Sequence, residues 1–279
     1  MPMIAYNPKH WYRLIFHAYS AQVFRKLFPA LLAIGGYSAA VCYVELEWLE
    51  SPVNLANTVH SLLGFVLSLF LVFRTNTAYD RWWEGRKQWG ALVNVSRTLA
   101  QRVRLVPDLA GQTPFRRGIP GFASALRHHL RGEPAPLPDD VEGVTHAPNA
   151  WIASMGRQAR VWRENGTITD HEHWLIEGNL ERMTDVLGAC ERILKTPIPY
   201  SYSMFMKKFI FLYVVTLPIG FVGTFLWWTV PVVMAMFYVL VSIELIAEEI
   251  EDPFGVDEND LPLDGLCETI AASTTDLLG

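Results

Sequence analysis

Residues 67–90 read LSLFLVFRTNTAYDRWWEGRKQWG, and how this stretch is read decides the fold. Its first seven residues suit a lipid-spanning helix. At Arg74 the composition turns charged and aromatic, yet no proline or glycine interrupts it until Gly85. One continuous helix leaving an apolar medium for water is the simplest reading. Arg74 is then expected at the lipid–water boundary, with Tyr79, Trp82 and Trp83 packing beyond it. Upstream, Phe65, Leu69 and Phe73 recur every four residues and so form one stripe along the helix. Gly64 would let another helix approach closely. The stripe suits helix packing or the lining of a pore shared by several subunits.

Working outward, the chain has 279 residues, 51% of them hydrophobic and only 18% charged. Soluble domains carry about 25% charged residues, so the composition points to a membrane protein with a substantial water-exposed part. A net charge of -5 without a long Lys/Arg run does not suggest a nucleic-acid partner, and none is expected. Cys42, Cys190 and Cys267 are odd in number and widely spaced, and are expected as free, packing thiols in a reducing compartment. The N-terminal stretch lacks the pattern of a secretory signal.

Residues 27–44 carry no charge over 18 positions, close to the minimum for a span. Residues 51–73 lack Asp, Glu, Lys and Arg and grow strongly apolar toward their end. Residues 209–243 are uncharged over 35 positions. A single helix of that length would reach roughly 52 Å, so a hairpin is required. WWTVP, residues 227–231, marks its turn: the tryptophans suit an interface, Thr229 can cap, and Pro231 suits a first turn. Pro218 and Gly220 are expected to kink the first arm.

Four spans result. Lys9, Arg13, Arg25 and Lys26 precede the first, while Glu45, Glu47 and Glu50 follow it. Arg74, Arg81, Arg86 and Lys87 follow the second, and Lys195, Lys207 and Lys208 precede the third. The excess of basic residues places both termini and the middle region in the cytoplasm, with the spans in the cell (inner or plasma) membrane. The expected organisation is a cytosolic or interfacial N-terminal helix (1–26), spans one and two (27–73), a cytosolic helical region (74–203), spans three and four (204–248), and a C-terminal acidic segment with a helix (249–279). Residues 74–106 and 174–195 read as helices, the latter on the spacing of Leu180, Met183, Val186, Leu187 and Ile193. Residues 107–148 hold seven prolines and read as a loop with short helical pieces.

Three blocks in order resemble the bacterial bestrophins: GFVLSLFLVFRTNTAYDRWWEGRKQWG (64–90), GTITDHEHWLIEGNLERMTDVLGACERILKTPIPYSYSMF (166–205) and LIAEEIEDPFGVDENDLPLDGLCETI (245–270). The resemblance implies an all-α membrane protein, four transmembrane helices per subunit, assembling as a homopentameric ring around an ion pathway. It carries the family's three apolar neck rings onto Phe65, Leu69 and Phe73, about 12 Å of constriction at this spacing. Apolar constrictions of this kind gate by dewetting. The family's cytosolic aperture falls by position on His171, where the usual residue is aliphatic; a ring of histidines would change charge near neutral pH. The Ca²⁺ clasp of animal members falls on Asp257 and Asp260, with Asp252 and Glu249 at backbone-ligand positions. The same acids also read as a solvated helix end or a cap. No cofactor is required, and Ca²⁺ activation is not assumed.

The implied function is passage of small monovalent ions, chloride or another anion by family. A cation-selective (sodium) channel of the same fold stays open, because the neck is uncharged. A secondary transporter would call for ionisable residues at mid-membrane depth, and only His60 comes near. A membrane-anchored enzyme finds no nucleophile motif, phosphate loop or HExxH. The expected partners are other copies of the chain, the lipid bilayer and the permeant ions.

Overall fold

The computed structural model describes residues 18–49, 57–141 and 143–279. Most of the expected N-terminal helix (1–26), Glu50 and the polar start of the second apolar stretch lie outside the described residues. Eight α-helices follow: α1 (Ala18–Tyr43), α2 (Asn57–Arg104), α3 (Thr113–Leu130), α4 (Ala147–Glu164), α5 (Asp170–Lys195), α6 (Tyr200–Phe225), α7 (Thr229–Glu251) and α8 (Leu263–Leu278). No strand occurs among the described residues. The all-α expectation holds, and α2 runs 48 residues without a break across the apolar-to-charged change.

The chain divides into two compact units. One combines Ile198–Glu251 with the described residues up to Asp80; the other combines Arg81–Pro197 with Asp252–Gly279. In the first, Leu27 and Leu31 of α1 pack against Met234, Phe237, Tyr238, Val241 and Leu245 of α7. Leu67 and Leu71 of α2 are buried with Met206, Ile210, Val214 and Leu217 of α6 and Val233 of α7. Among the described residues, three stretches are long and apolar enough to cross a membrane: Phe24–Trp48, Thr58–Arg104 and Tyr200–Glu251. The last of these breaks at the 3-10 turn Leu226–Trp228, where Leu226 takes φ 53°. The reversal therefore sits where the tryptophans place it, with Thr229 as the first residue of α7 rather than ahead of it. Large apolar side chains remain exposed on this unit, among them Leu62, Phe211, Leu212 and Trp228. An apolar surface of that extent calls for lipid or another protein to cover it.

The second unit has its own core. Trp89, Leu92 and Leu99 of α2 meet Phe115, Ile119 and Phe122 of α3, Met155 and Trp162 of α4, Met183 of α5 and Ile270 of α8. Phe115 and Trp162 stack with centroids 5.2 Å apart, and the Trp162 ring N–H donates to Asp108 at 2.8 Å. The spacing that predicts α5 is confirmed, since Leu180, Met183, Val186, Leu187 and Ile193 are all buried.

The proline-rich loop is corrected for residues 113–130, which form an 18-residue helix. Pro114 sits in its first turn, where a missing N–H costs nothing. Pro120 lies inside the helix and removes one bond of the ladder. Burial of Phe115, Ile119, Phe122, Ala123, Leu126 and Leu130 outweighs that loss. Gly118 and Gly121 allow the closest approach. A Cβ there would lie 2.6 Å from Met155 and 2.7 Å from Trp151.

All three cysteines are free thiols. Burial pushes the Cys190 and Cys267 thiols up to about 12, so both are packing residues rather than reactive ones.

Candidate functional site: an unpartnered apolar stripe and its buried anchor

In the first unit α2 has two unlike faces. Leu67, Leu71, Arg74 and Ala78 are buried and recur at helical spacing. Phe65, Leu69 and Phe73 lie two positions away, about 200° around the helix. They are 66%, 46% and 55% exposed. The stripe thus lies opposite the face that packs within the chain. None of the described residues buries the stripe. The packed face is held closely, because a Cβ on Gly64 would come 2.6 Å from the Tyr213 hydroxyl of α6. The close approach expected at Gly64 is therefore present. Nearby, buried His60 donates its Nε2 proton to the Thr216 carbonyl at 3.1 Å.

Directly after the stripe, the Arg74 side chain is 1% exposed and turned into the packing. Its Nη2 donates to Glu251 Oε2 at 2.7 Å, and its Nε lies 3.6 Å from Glu244 Oε1. Glu244 is itself 4% exposed. Glu251 also accepts the Ile198 backbone N–H at 2.9 Å, which ties the start of α6 to the end of α7. Tyr202 completes the cluster by donating its hydroxyl to the Phe70 carbonyl at 3.2 Å. A guanidinium with carboxylates on two sides is among the few ways to bury such a charge. Its effect here is to fix the rotation of α2 about its own axis, and so the direction in which the stripe faces. Of the aromatics expected to pack beyond Arg74, Trp82 joins the core of the second unit and donates to the Asn259 carbonyl at 2.9 Å. Tyr79 and Trp83 are exposed.

In the second unit His171 is exposed in the first turn of α5. That turn is clamped by a capping box. Thr169 Oγ1 accepts the Glu172 N–H at 3.2 Å, and Glu172 accepts the Thr169 N–H at 2.7 Å. The Thr169 backbone and hydroxyl donors hold the Glu172 carboxyl below the usual carboxylate range. His171 therefore projects from a fixed turn rather than a loose loop.

Asp257 is exposed, while Asp260 is 4% exposed and accepts the Asp257 backbone N–H at 2.6 Å. Their groove also holds Arg131, whose guanidinium pairs with Asp264 at 3.1 Å. Neither Asp257 nor Asp260 belongs to a cluster of three His, Cys, Asp or Glu ligand atoms among the described residues. Asp260 braces the loop through its bond from the Asp257 N–H, and a Ca²⁺ site would draw six to eight oxygens.

Sequence reasoning missed the partners of Arg74. Glu244 and Glu251 stand seven apart, two turns of one helix face, which is a usable signal only once Arg74 is known to be buried.

The family model described as the bacterial/fungal bestrophin protein matches residues 3–276. A voltage-dependent anion channel-forming protein of Ralstonia nicotianae is 32% identical over 97% of this chain and 92% of its own length. The Escherichia coli protein YneE, which bears the same description, is 33% identical over 96% of this chain and 91% of its own. Two solved chains of a bacterial bestrophin homologue from Klebsiella pneumoniae superpose with TM-scores of 0.84 and 0.85. They show 29% and 28% identity, covering 91% of this chain and 99% of each of theirs.

Proposed function

Since the chain belongs to the bacterial and fungal bestrophin family, we propose that it assembles as a homopentameric anion channel whose neck is ringed by Phe65, Leu69 and Phe73. The observation that carries this is the exposure of that stripe on the side of α2 opposite its packed face. Five copies of α2 with their stripes turned to a common axis would cover the stripe and leave an apolar constriction. Each subunit spans the cell membrane four times, through α1, the apolar part of α2, α6 and α7, with both termini in the cytoplasm. The curated relatives are described as anion-channel-forming, and the positive edge of a phenylalanine ring suits an anion better than an alkane wall does. Small monovalent anions, chloride first among them, are the permeant ions.

The test is a planar-bilayer recording of purified protein under a potassium chloride gradient. The reversal potential is expected near the chloride equilibrium value, from a particle of five times the 31.6 kDa chain mass. Reversal at the potassium value would replace the anion reading with a cation channel of the same fold. A monomer or dimer that passes no current, even with an alanine neck, would overturn the channel.

His171 forms the cytosolic aperture in this proposal, supported by its exposure and its clamped turn. Wild-type conductance is expected to depend on pH, as a ring of histidines at an aperture would make it. His171→Ala removes that dependence without moving the neck. A pH profile identical in the variant would take His171 out of the pathway.

A further inference from the structure

Away from the stripe, three helices of the second unit bring together a set of donors that no local pattern announces. His129 lies in the last turn of α3, His146 immediately precedes α4, and Glu191 lies near the end of α5. One ligand atom from each falls within 4.8 Å of the other two. Nε2 of His129 is 2.7 Å from Glu191 Oε1, Nε2 of His146 is 3.1 Å from the same oxygen, and the two Nε2 atoms are 3.4 Å apart. The rings meet edge to face, 4.4 Å between centroids and 70° between planes. Both nitrogens thus converge on one carboxylate oxygen.

Those separations have a chemical meaning. Tetrahedral coordination with bonds of about 2.0–2.1 Å sets donors about 3.3 Å apart. The three observed spacings, 2.7, 3.1 and 3.4 Å, bracket that value, so an ion entering the triangle need chiefly move His129 and Glu191 apart. Glu191 is already oriented for the task. Its second oxygen lies 3.5 Å from the Lys195 ammonium, one turn on, which leaves Oε1 to the histidines. Burial raises the Glu191 carboxyl, but the His129 bond, Lys195 and the His146 bond together hold it below its ordinary range. The side chains are 24–30% exposed. The groove beside them, lined by His146, Asn149, Thr184, Gly188 and Glu191, measures about 380 Å³. An ion can therefore enter from solvent, and water can complete its shell.

We propose that His129, His146 and Glu191 form a binding site for a late first-row divalent cation, Zn²⁺ foremost. Two imidazole nitrogens and one carboxylate select Zn²⁺, Co²⁺ or Ni²⁺ over Ca²⁺ and Mg²⁺, which take oxygen shells. The ion would staple the end of α3 to α5 across residues 131–146. The site is separate from the acidic segment at Asp257 and Asp260 and from the neck.

The test uses the full chain in detergent, with any affinity tag removed and the protein stripped by chelator and dialysed. Co²⁺ serves as a visible probe, and Zn²⁺ is measured by competition against a chromogenic chelator. Wild type is expected to take up one ion per chain and to show the absorption bands of tetrahedral Co²⁺. His129→Ala and Glu191→Gln are each expected to weaken Zn²⁺ binding by more than the ~100-fold that loss of an outer-shell partner can cost. His146→Gln, at the entry to α4, repeats the test with little risk to the core. Failure of wild type to bind a stoichiometric ion overturns the site. Binding of wild-type strength and spectrum in correctly folded Glu191→Gln and His146→Gln overturns it as well.

Discussion

Arg74→Ala is expected to destabilise the folded subunit by about 3–5 kcal/mol, the cost of stripping one partner from a buried ion pair. The loss is large because of what stays behind. Glu244 is 4% exposed, and Arg74 is the cation beside it, at 3.6 Å. With the guanidinium gone, an ionised carboxylate keeps only the charge of Lys207 in its favour, and a protonated one is still a buried polar group. Glu251 fares better, being 16% exposed and holding the Ile198 N–H besides. Glu251→Gln is therefore expected to cost less than Arg74→Ala. Arg74→Lys does not restore stability, since a single ammonium cannot serve two carboxylates as a planar guanidinium does. Paired replacement, Arg74→Met with Glu244→Leu, recovers most of the loss, because apolar pairs of similar volume replace buried ion pairs at little cost. Thermal unfolding in detergent, followed by loss of the assembled peak in size exclusion, reads the series. An Arg74→Ala protein melting with wild type would show that the cluster does not hold α2.

Much of this architecture can be read locally. The unbroken α2 follows from the absence of proline before Pro107, and the α6–α7 reversal from a run too long for one span with two tryptophans at its middle. The stripe follows from four-residue spacing alone. In each case the governing interaction lies within one or two helical turns. The residues 113–130 read as loop because proline frequency outweighed a buried face of period three to four. Packing against Met155 and Trp151 decided otherwise, and nothing within that segment shows its partners. The burial of Arg74 is the same kind of case. A charged residue after an apolar run shows nothing of its partners unless Glu244 and Glu251, some 170 positions on in the chain, are known to meet it. The His129, His146 and Glu191 cluster draws on three segments with no common spacing. Side-chain clusters assembled from distant segments are set by tertiary packing, and local periodicity carries no trace of them.

The neck reading makes the second large prediction: replacing Phe65, Leu69 and Phe73 together by alanine is expected to raise anion current at least tenfold. An apolar ring resists ions because a permeating anion gives up hydration and gains little from the wall, and because narrow apolar passages dry. Truncation to Cβ widens three successive rings and lets water through. Each ~1.4 kcal/mol removed from the barrier is worth tenfold in rate, so even a partial loss of the dewetting barrier is visible. Leu69→Ala, at the middle ring, should account for much of the gain, because a dry segment interrupted at its centre is shorter on both sides. The three positions are exposed within the subunit, so truncating them leaves no cavity in its core and the fold survives. Leu67→Ala and Leu71→Ala provide the converse. Those side chains are 0% and 4% exposed, their loss costs about 2–5 kcal/mol, and current per assembled channel stays near wild type. A stripe that merely packed against a neighbouring subunit would behave in the opposite way: alanine there would weaken assembly and leave conduction untouched. Equal single-channel currents in wild type and the triple variant, with the assembly intact, would remove Phe65, Leu69 and Phe73 from the ion pathway.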